Sequence, residues 1–85
     1  MKLFLTLQAE GDISYWNRHD KSKVAKIRLL ISDILNTPFS GLGKPEPLKH
    51  ALAGYWSRRI DREHRLVYKV EADKLFIISC RFHYA

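Results

Sequence analysis

Val24, Ile27, Ile31 and Ile34 recur at three- and four-residue steps, the spacing that lines one stripe of an α-helix. Leu30 and Leu35 join them, and the stripe predicts a core-facing helix. Asp20 stands where an N-cap is needed, and Pro38 removes a donor and disfavours the α region for Thr37, so the helix is expected to end near Asn36. Upstream, Leu3, Leu5 and Leu7 alternate against Lys2, Phe4 and Thr6, which predicts a strand over residues 2–7. Residues 8–18 read as a first helix bringing Ile13 near Trp16, with Gly11 inside it at a cost of roughly 1 kcal/mol relative to Ala. Downstream, residues 55–60, 65–70 and 75–82 are β-like, joined by the polar connectors 61–64 and 71–74. Connectors that short predict antiparallel hairpins. The expected class is α+β, a meander following two helices.

Alternation assigns faces, because neighbouring side chains of a strand point to opposite sides of the sheet. Leu66, Tyr68 and Val70 go one way, and Arg65, Val67 and Lys69 the other. Trp56, Arg58 and Ile60 alternate with Tyr55, Ser57 and Arg59, and Phe76, Ile78, Cys80 and Phe82 with Ile77, Ser79, Arg81 and His83. With helices over one face, the other is expected to present Arg59, Arg65, Arg81 and His83 as a basic trough.

At 85 residues the chain is expected to be one domain over 1–85, short enough that a dimer contact or bound partner adds to its stability. Its net charge of +6 favours polyanionic partners by raising their local concentration. Lys21, Lys23, Lys26 and Arg28 suit a solvated helix face, and the cations are not gathered as a membrane-surface helix would gather them. No apolar run approaches the roughly 20 residues of a membrane span, and residues 8–12 provide no signal-peptide core. The expectation is a cytoplasmic protein without a membrane partner. The lone Cys80 excludes an internal disulfide and reads as a small buried hydrophobe. His19, His50 and His64 lack metal-ligand spacing, so neither a metal nor another cofactor is expected. Trp16 and Trp56 read as core or dimer contacts.

Between the second helix and the strands lies Gly41-Leu42-Gly43-Lys44-Pro45-Glu46-Pro47-Leu48-Lys49-His50. Glycines for tight turns and prolines that fix φ constrain one carboxylate, Glu46, among cations. The chain closes on Arg81-Phe82-His83-Tyr84-Ala85, which supplies an imidazole and a phenol.

Together with Thr37-Pro38-Phe39, Tyr55-Trp56-Ser57-Arg58-Arg59-Ile60, Glu63-His64-Arg65-Leu66-Val67-Tyr68 and Cys80-Arg81-Phe82-His83-Tyr84, that loop resembles the YoeB toxins of bacterial toxin–antitoxin systems, part of the RelE-like superfamily. The resemblance covers nearly the whole chain. It implies a small antiparallel sheet with two N-terminal helices packed on one face, and a translation inhibitor that cleaves messenger RNA (mRNA) in the ribosomal decoding site. It also implies a homodimer, a YefM-like antitoxin with an acidic tail, and binding to promoter DNA only as the toxin–antitoxin complex. By matching positions, Glu46 takes the general-base role, Arg65 the phosphate-stabilising role and His83 the general-acid role, with Tyr84 a further functional residue. Lys49 and Arg59 match cations lining the site. Lys44 is expected at its rim, and His50 is a candidate RNA contact. The chain departs from the family where Glu10-Gly11 replaces the usual aromatic–acidic pair, and where Ala85 follows Tyr84.

Those residue types suit RNA scission, since RNA carries its own nucleophile, the 2′-hydroxyl, and needs only alignment and a base. A carboxylate accepts that proton, a guanidinium meets the charge on the phosphoryl oxygens, and an imidazole protonates the departing 5′-oxygen. Tyr84 could stack on a base, orient the phosphate or share the acid role. The rival reading is a basic RelE-like module without catalysis, which blocks the ribosome or binds DNA with an acidic partner.

Overall fold

The computed structural model describes residues 1–82. Its second helix, α2 (Lys21–Asn36), follows the predicted stripe. Asp20 is its N-cap, the carboxylate accepting from the Ser22 N–H at 3.1 Å. Ile27, Leu30 and Ile34 are buried, with Val24 and Ile31 packed beside them. Leu35 is 37% exposed: a one-residue step turns about 100° around the helix axis and carries it off the stripe.

The first strand, β1 (Lys2–Leu5), is shorter than the alternation predicts. Thr6 stops it, because its hydroxyl accepts from the Ala9 N–H at 3.0 Å and so caps α1 (Leu7–His19). Leu7, expected on the strand's apolar side, instead opens this helix and is 87% exposed. The remaining strands are β2 (Glu46–Pro47), β3 (Trp56–Arg59), β4 (Arg65–Glu71) and β5 (Lys74–Ser79). They form one sheet in the order β1-β5-β4-β3-β2. The β2 to β5 pairs are antiparallel, as the short connectors predict. β1 instead runs parallel to β5, with Lys2 opposite Lys74 and Leu5 opposite Ile77, so the sheet is mixed. No tight turn joins β1 to a neighbour; the chain leaves it through two helices, and a helical crossover permits a parallel partner.

The core lies between the helices and one sheet face, where Ala9, Trp16, Ile27, Leu30 and Ile34 meet Leu66, Tyr68, Leu75, Ile77 and Cys80. Strict alternation would set Ile77 and Cys80 on opposite faces. The register shifts between Val67 and Tyr68, which pair with Ser79 and Ile77 and leave Ile78 as an extra residue. This bulge restores Cys80 to the core side, since one inserted residue reverses the parity of the positions after it. Among the described residues no helix is long and apolar enough to cross a membrane.

Candidate functional site

Arg58 is fully buried. Its parity with Trp56 and Ile60 aims a guanidinium into the protein, and the structure answers with acceptors. One terminal nitrogen donates to the Asp33 carboxylate and to the Leu42 carbonyl (3.0 Å), the other to the carbonyls of Thr37 (2.7 Å) and Ser40 (2.9 Å). Its Nε lies 3.3 Å from the Tyr68 hydroxyl, which donates to the Pro38 carbonyl at 2.7 Å. Asp33 also accepts from the Leu42 N–H at 2.9 Å. That bond first, and the guanidinium second, hold its carboxyl below the usual carboxylate range. A cation thus organises the whole turn between α2 and β2.

The turn has no room for larger residues. A Cβ on Gly41, at φ +115°, would fall 2.2 Å from an Asp33 carboxylate oxygen, and one on Gly43, at φ +79°, would fall 2.9 Å from a Leu30 methyl carbon. Past them, the Gly43 carbonyl accepts from the Arg59 N–H at 2.7 Å. The next segment is β2, so Glu46 stands on a short edge strand rather than in a free loop, opposite Ser57.

The register continues across the sheet. Ser57 is opposite Val67 and Val67 opposite Ser79. One alternation step along, Arg59 faces Arg65. Glu46 and this arginine pair therefore occupy neighbouring rows of the face opposite the helices, about 8 Å apart from Glu46 to Arg59 at the Cα atoms by strand spacing. Glu46 and Arg59 are exposed and Arg65 half-buried. Among the described residues none of the three is in an ion pair, and the buried Nε of Arg65 has no hydrogen-bond partner. Lys44, Lys49 and His50, which flank β2 in the chain, are exposed, with His50 opening a short 3-10 turn, His50–Leu52.

Arg81, expected in the trough, has its guanidinium carbon 3.5 Å from the centre of the Tyr15 ring on α1 and 4.4 Å from that of Phe82. The structure brings Arg59 and Arg65 together, while Arg81 is taken up by aromatic faces. His83 and Tyr84 lie outside the described residues. Burial pushes the Cys80 thiol up to about 12, so it remains a neutral member of the core. Among the described residues no three His, Cys, Asp or Glu side chains come close enough to hold a metal ion.

Sequence reasoning placed Arg58 on the correct face without recognising it as a hub, although an arginine at a core parity is the signal. It also missed Asp12, Trp16 and His64 as tethers of the segment after β5. Asp12 accepts from the Cys80 N–H (2.9 Å), the Trp16 indole donates to the Cys80 carbonyl (2.9 Å), and His64 Nδ1 accepts from the Phe82 N–H (2.7 Å). These contacts join side chains to the main chain of distant residues, which leaves no periodic trace in a sequence.

Residues 5–84 match the family model described as the YoeB-like toxin of bacterial type II toxin-antitoxin system. Toxin YoeB of Escherichia coli K12 is 56% identical over 84 residues, covering 99% of this chain and 100% of the relative. The solved YoeB/ParE toxin from Agrobacterium tumefaciens superposes with a TM-score of 0.96 at 55% identity, over 99% of this chain and 100% of that one. The Staphylococcus aureus relative superposes as a YoeB dimer, with a TM-score of 0.92 at 44% identity. In a YoeB-YefM complex it does so at 0.90 and 42%. Each of these two matches covers 99% of this chain and 98% of the other.

Proposed function

This chain belongs to the YoeB-like toxins of bacterial type II toxin–antitoxin systems, and from that membership we propose that it is an endoribonuclease cleaving mRNA in the decoding site of the ribosome. Glu46 takes the proton of the 2′-hydroxyl as that oxygen attacks the adjacent phosphorus. The bond from phosphorus to the 5′-oxygen breaks, His83 gives that oxygen its proton, and the upstream fragment ends in a 2′,3′-cyclic phosphate. Arg65 meets the charge on the phosphoryl oxygens, for which a planar, permanently charged donor set is well matched. Tyr84 completes the site by stacking or by orienting the phosphate. Lys49 and Arg59 line it, and Lys44 and His50 contact the RNA backbone at its rim, while Arg81 stays on the Tyr15 ring. The nucleophile belongs to the substrate, so the reaction needs no metal.

The observation that carries this reading is the shared sheet face. Glu46 sits one row from the Arg59–Arg65 pair, and the Arg65 N–H donates to the carbonyl of Phe82, the residue bonded to His83, at 3.1 Å. Among the described residues the buried Nε of Arg65 has no partner, as is also true of Arg81, and on this face a phosphate oxygen would satisfy it. Glu46 and Arg59 are exposed on that face, so alignment of the message is expected to come from outside the protein, which is what a ribosome offers. The YoeB-YefM complex and the YoeB dimer of the S. aureus relative support a YefM-like antitoxin and a second copy as partners, and a ribosomal target implies action in the cytoplasm. Promoter DNA is bound only by the toxin–antitoxin complex.

Ribosomes carrying a defined message test this, with new RNA ends mapped beside Glu46→Ala and His83→Ala. Cuts inside the decoding-site codon are expected from the parent alone. Arrested translation on an intact message would leave a ribosome-blocking protein instead.

A further inference from the structure

Beyond Ser79 the chain no longer belongs to the sheet ladder, yet its main chain is held group by group. Phe82 has φ +65°, a left-handed conformation that a bulky residue adopts only when its surroundings impose it. Here both neighbouring polar groups are claimed. The Phe82 N–H donates to His64 Nδ1 at 2.7 Å and its carbonyl accepts from the Arg65 N–H at 3.1 Å. Two adjacent residues thus grip the two ends of one, which defines the direction of the chain at that point.

His64 is itself fixed. It is 9% exposed and lies edge-on to Trp16, ring centres 4.8 Å apart. Its N–H donates to the Asp61 carboxylate at 2.6 Å, and its carbonyl accepts from the Ile60 N–H at 3.0 Å. Nε2 lies 3.7 Å from the Glu63 carboxylate. For Nδ1 to accept a main-chain N–H the ring must be neutral with its proton on Nε2. A histidine held this way accounts for the Phe82 turn better than packing alone, since a ring of carbon would fill the same space and leave the N–H unpaired.

We propose that His64 is a positioning residue that sets the direction in which the chain leaves Phe82 for His83 and Tyr84. Its consequence for catalysis rests on the reading given under Proposed function. His64→Phe keeps an aromatic ring beside Trp16 and removes the acceptor; His64→Asn gives up the ring and offers Oδ1 where Nδ1 stood. With ribosomes in excess, His64→Phe is expected to cut the message on the order of 10- to 100-fold more slowly, the scale of a small misplacement of reacting groups, at an unchanged half-saturating ribosome concentration. His64→Asn is expected to recover most of the rate. A role in packing alone predicts the reverse order, with His64→Asn the worse variant, and that order overturns the proposal. Independently of activity, long-range proton–nitrogen NMR spectra of the parent should show His64 protonated on Nε2 and a Phe82 amide protected from exchange. A proton on Nδ1, or an unprotected Phe82 amide, also overturns it. A parent that cuts nothing overturns the nuclease reading, and the tautomer and the amide then decide the clamp by themselves.

Discussion

The turn from 37 to 44 and the segment from 80 to 82 are held in opposite ways. The turn converges on one hub: a single side chain, Arg58, donates to the carbonyls of Thr37, Ser40 and Leu42 and to the carboxylate of Asp33. The segment depends on scattered tethers, Asp12 and Trp16 from α1, His64 and Arg65 from the start of β4, each taking one main-chain group. A hub is rigid but fails at once, whereas scattered tethers fail in steps.

Arg58→Met breaks the comparison hardest. It removes the donor shared by three carbonyls and the Asp33 carboxylate, leaving Asp33 the Leu42 N–H and the Ser40 carbonyl the Thr37 hydroxyl, and removing one partner of a buried charged network costs about 3–5 kcal/mol. Chemical denaturation should show that loss, and a loss below about 1 kcal/mol would mean the turn is held without its hub. Trp16→Phe is the matching test of a tether, since it withdraws the donor to the Cys80 carbonyl and keeps a buried ring. The expected loss is about 1–2 kcal/mol, and a loss as large as that of Arg58→Met would make the segment a hub as well.

Acid reaches both regions, the turn through Asp33 and the segment through Asp61. Asp61 accepts from the N–H groups of Glu63 and His64, and its carboxylate lies 2.7 Å from Lys23 Nζ. Burial alone would raise its pKa, but the Lys23 ammonium and those N–H groups outweigh it and bring it down to about 2. The folded value lies below the ordinary one, so the stability Asp61 contributes is complete above about pH 4 and lost as pH falls towards 2, about 1–2 kcal/mol. Asp61→Asn should flatten the pH dependence of unfolding in that window, and an unchanged slope would assign it to other carboxylates. The smallest effect sharpens the tether side. A Cβ at Gly11 meets nothing within 4 Å, so Gly11→Ala should stabilise α1, the source of two tethers, by about 0.5–1 kcal/mol. Thermal unfolding would reveal it as a raised midpoint, and a lowered midpoint would place a partner surface or a strained turn at that position.

Both helices, the meander and the Gly/Pro turn were legible because periodicity and turn chemistry are local. Asp20 as a cap and Ile27 with Ile34 as core are set by neighbours within one helix. The hidden features depend on distant partners. The parallel partner of β1 is chosen by the helical crossover, and the bulge at Ile78 is a relation between two strands rather than a property of either. For the site, alternation predicted the shared face of Arg59 and Arg65, and the family resemblance singled out Glu46. The row joining Glu46 to that pair required the register, and Arg81 was drawn to Tyr15 by an aromatic face that alternation does not count.

The parallel pairing of β1 with β5 also sets an order of assembly. The β3–β4 and β4–β5 hairpins close from neighbours and form early, whereas the Thr6 hydroxyl and the Ile78 carbonyl it bonds are 72 residues apart. Closing so long a loop is slow relative to hairpin formation. A growing chain therefore carries β1 unpaired through most of its synthesis, and the outer edge of β5 stays bare until that first strand returns to cover it.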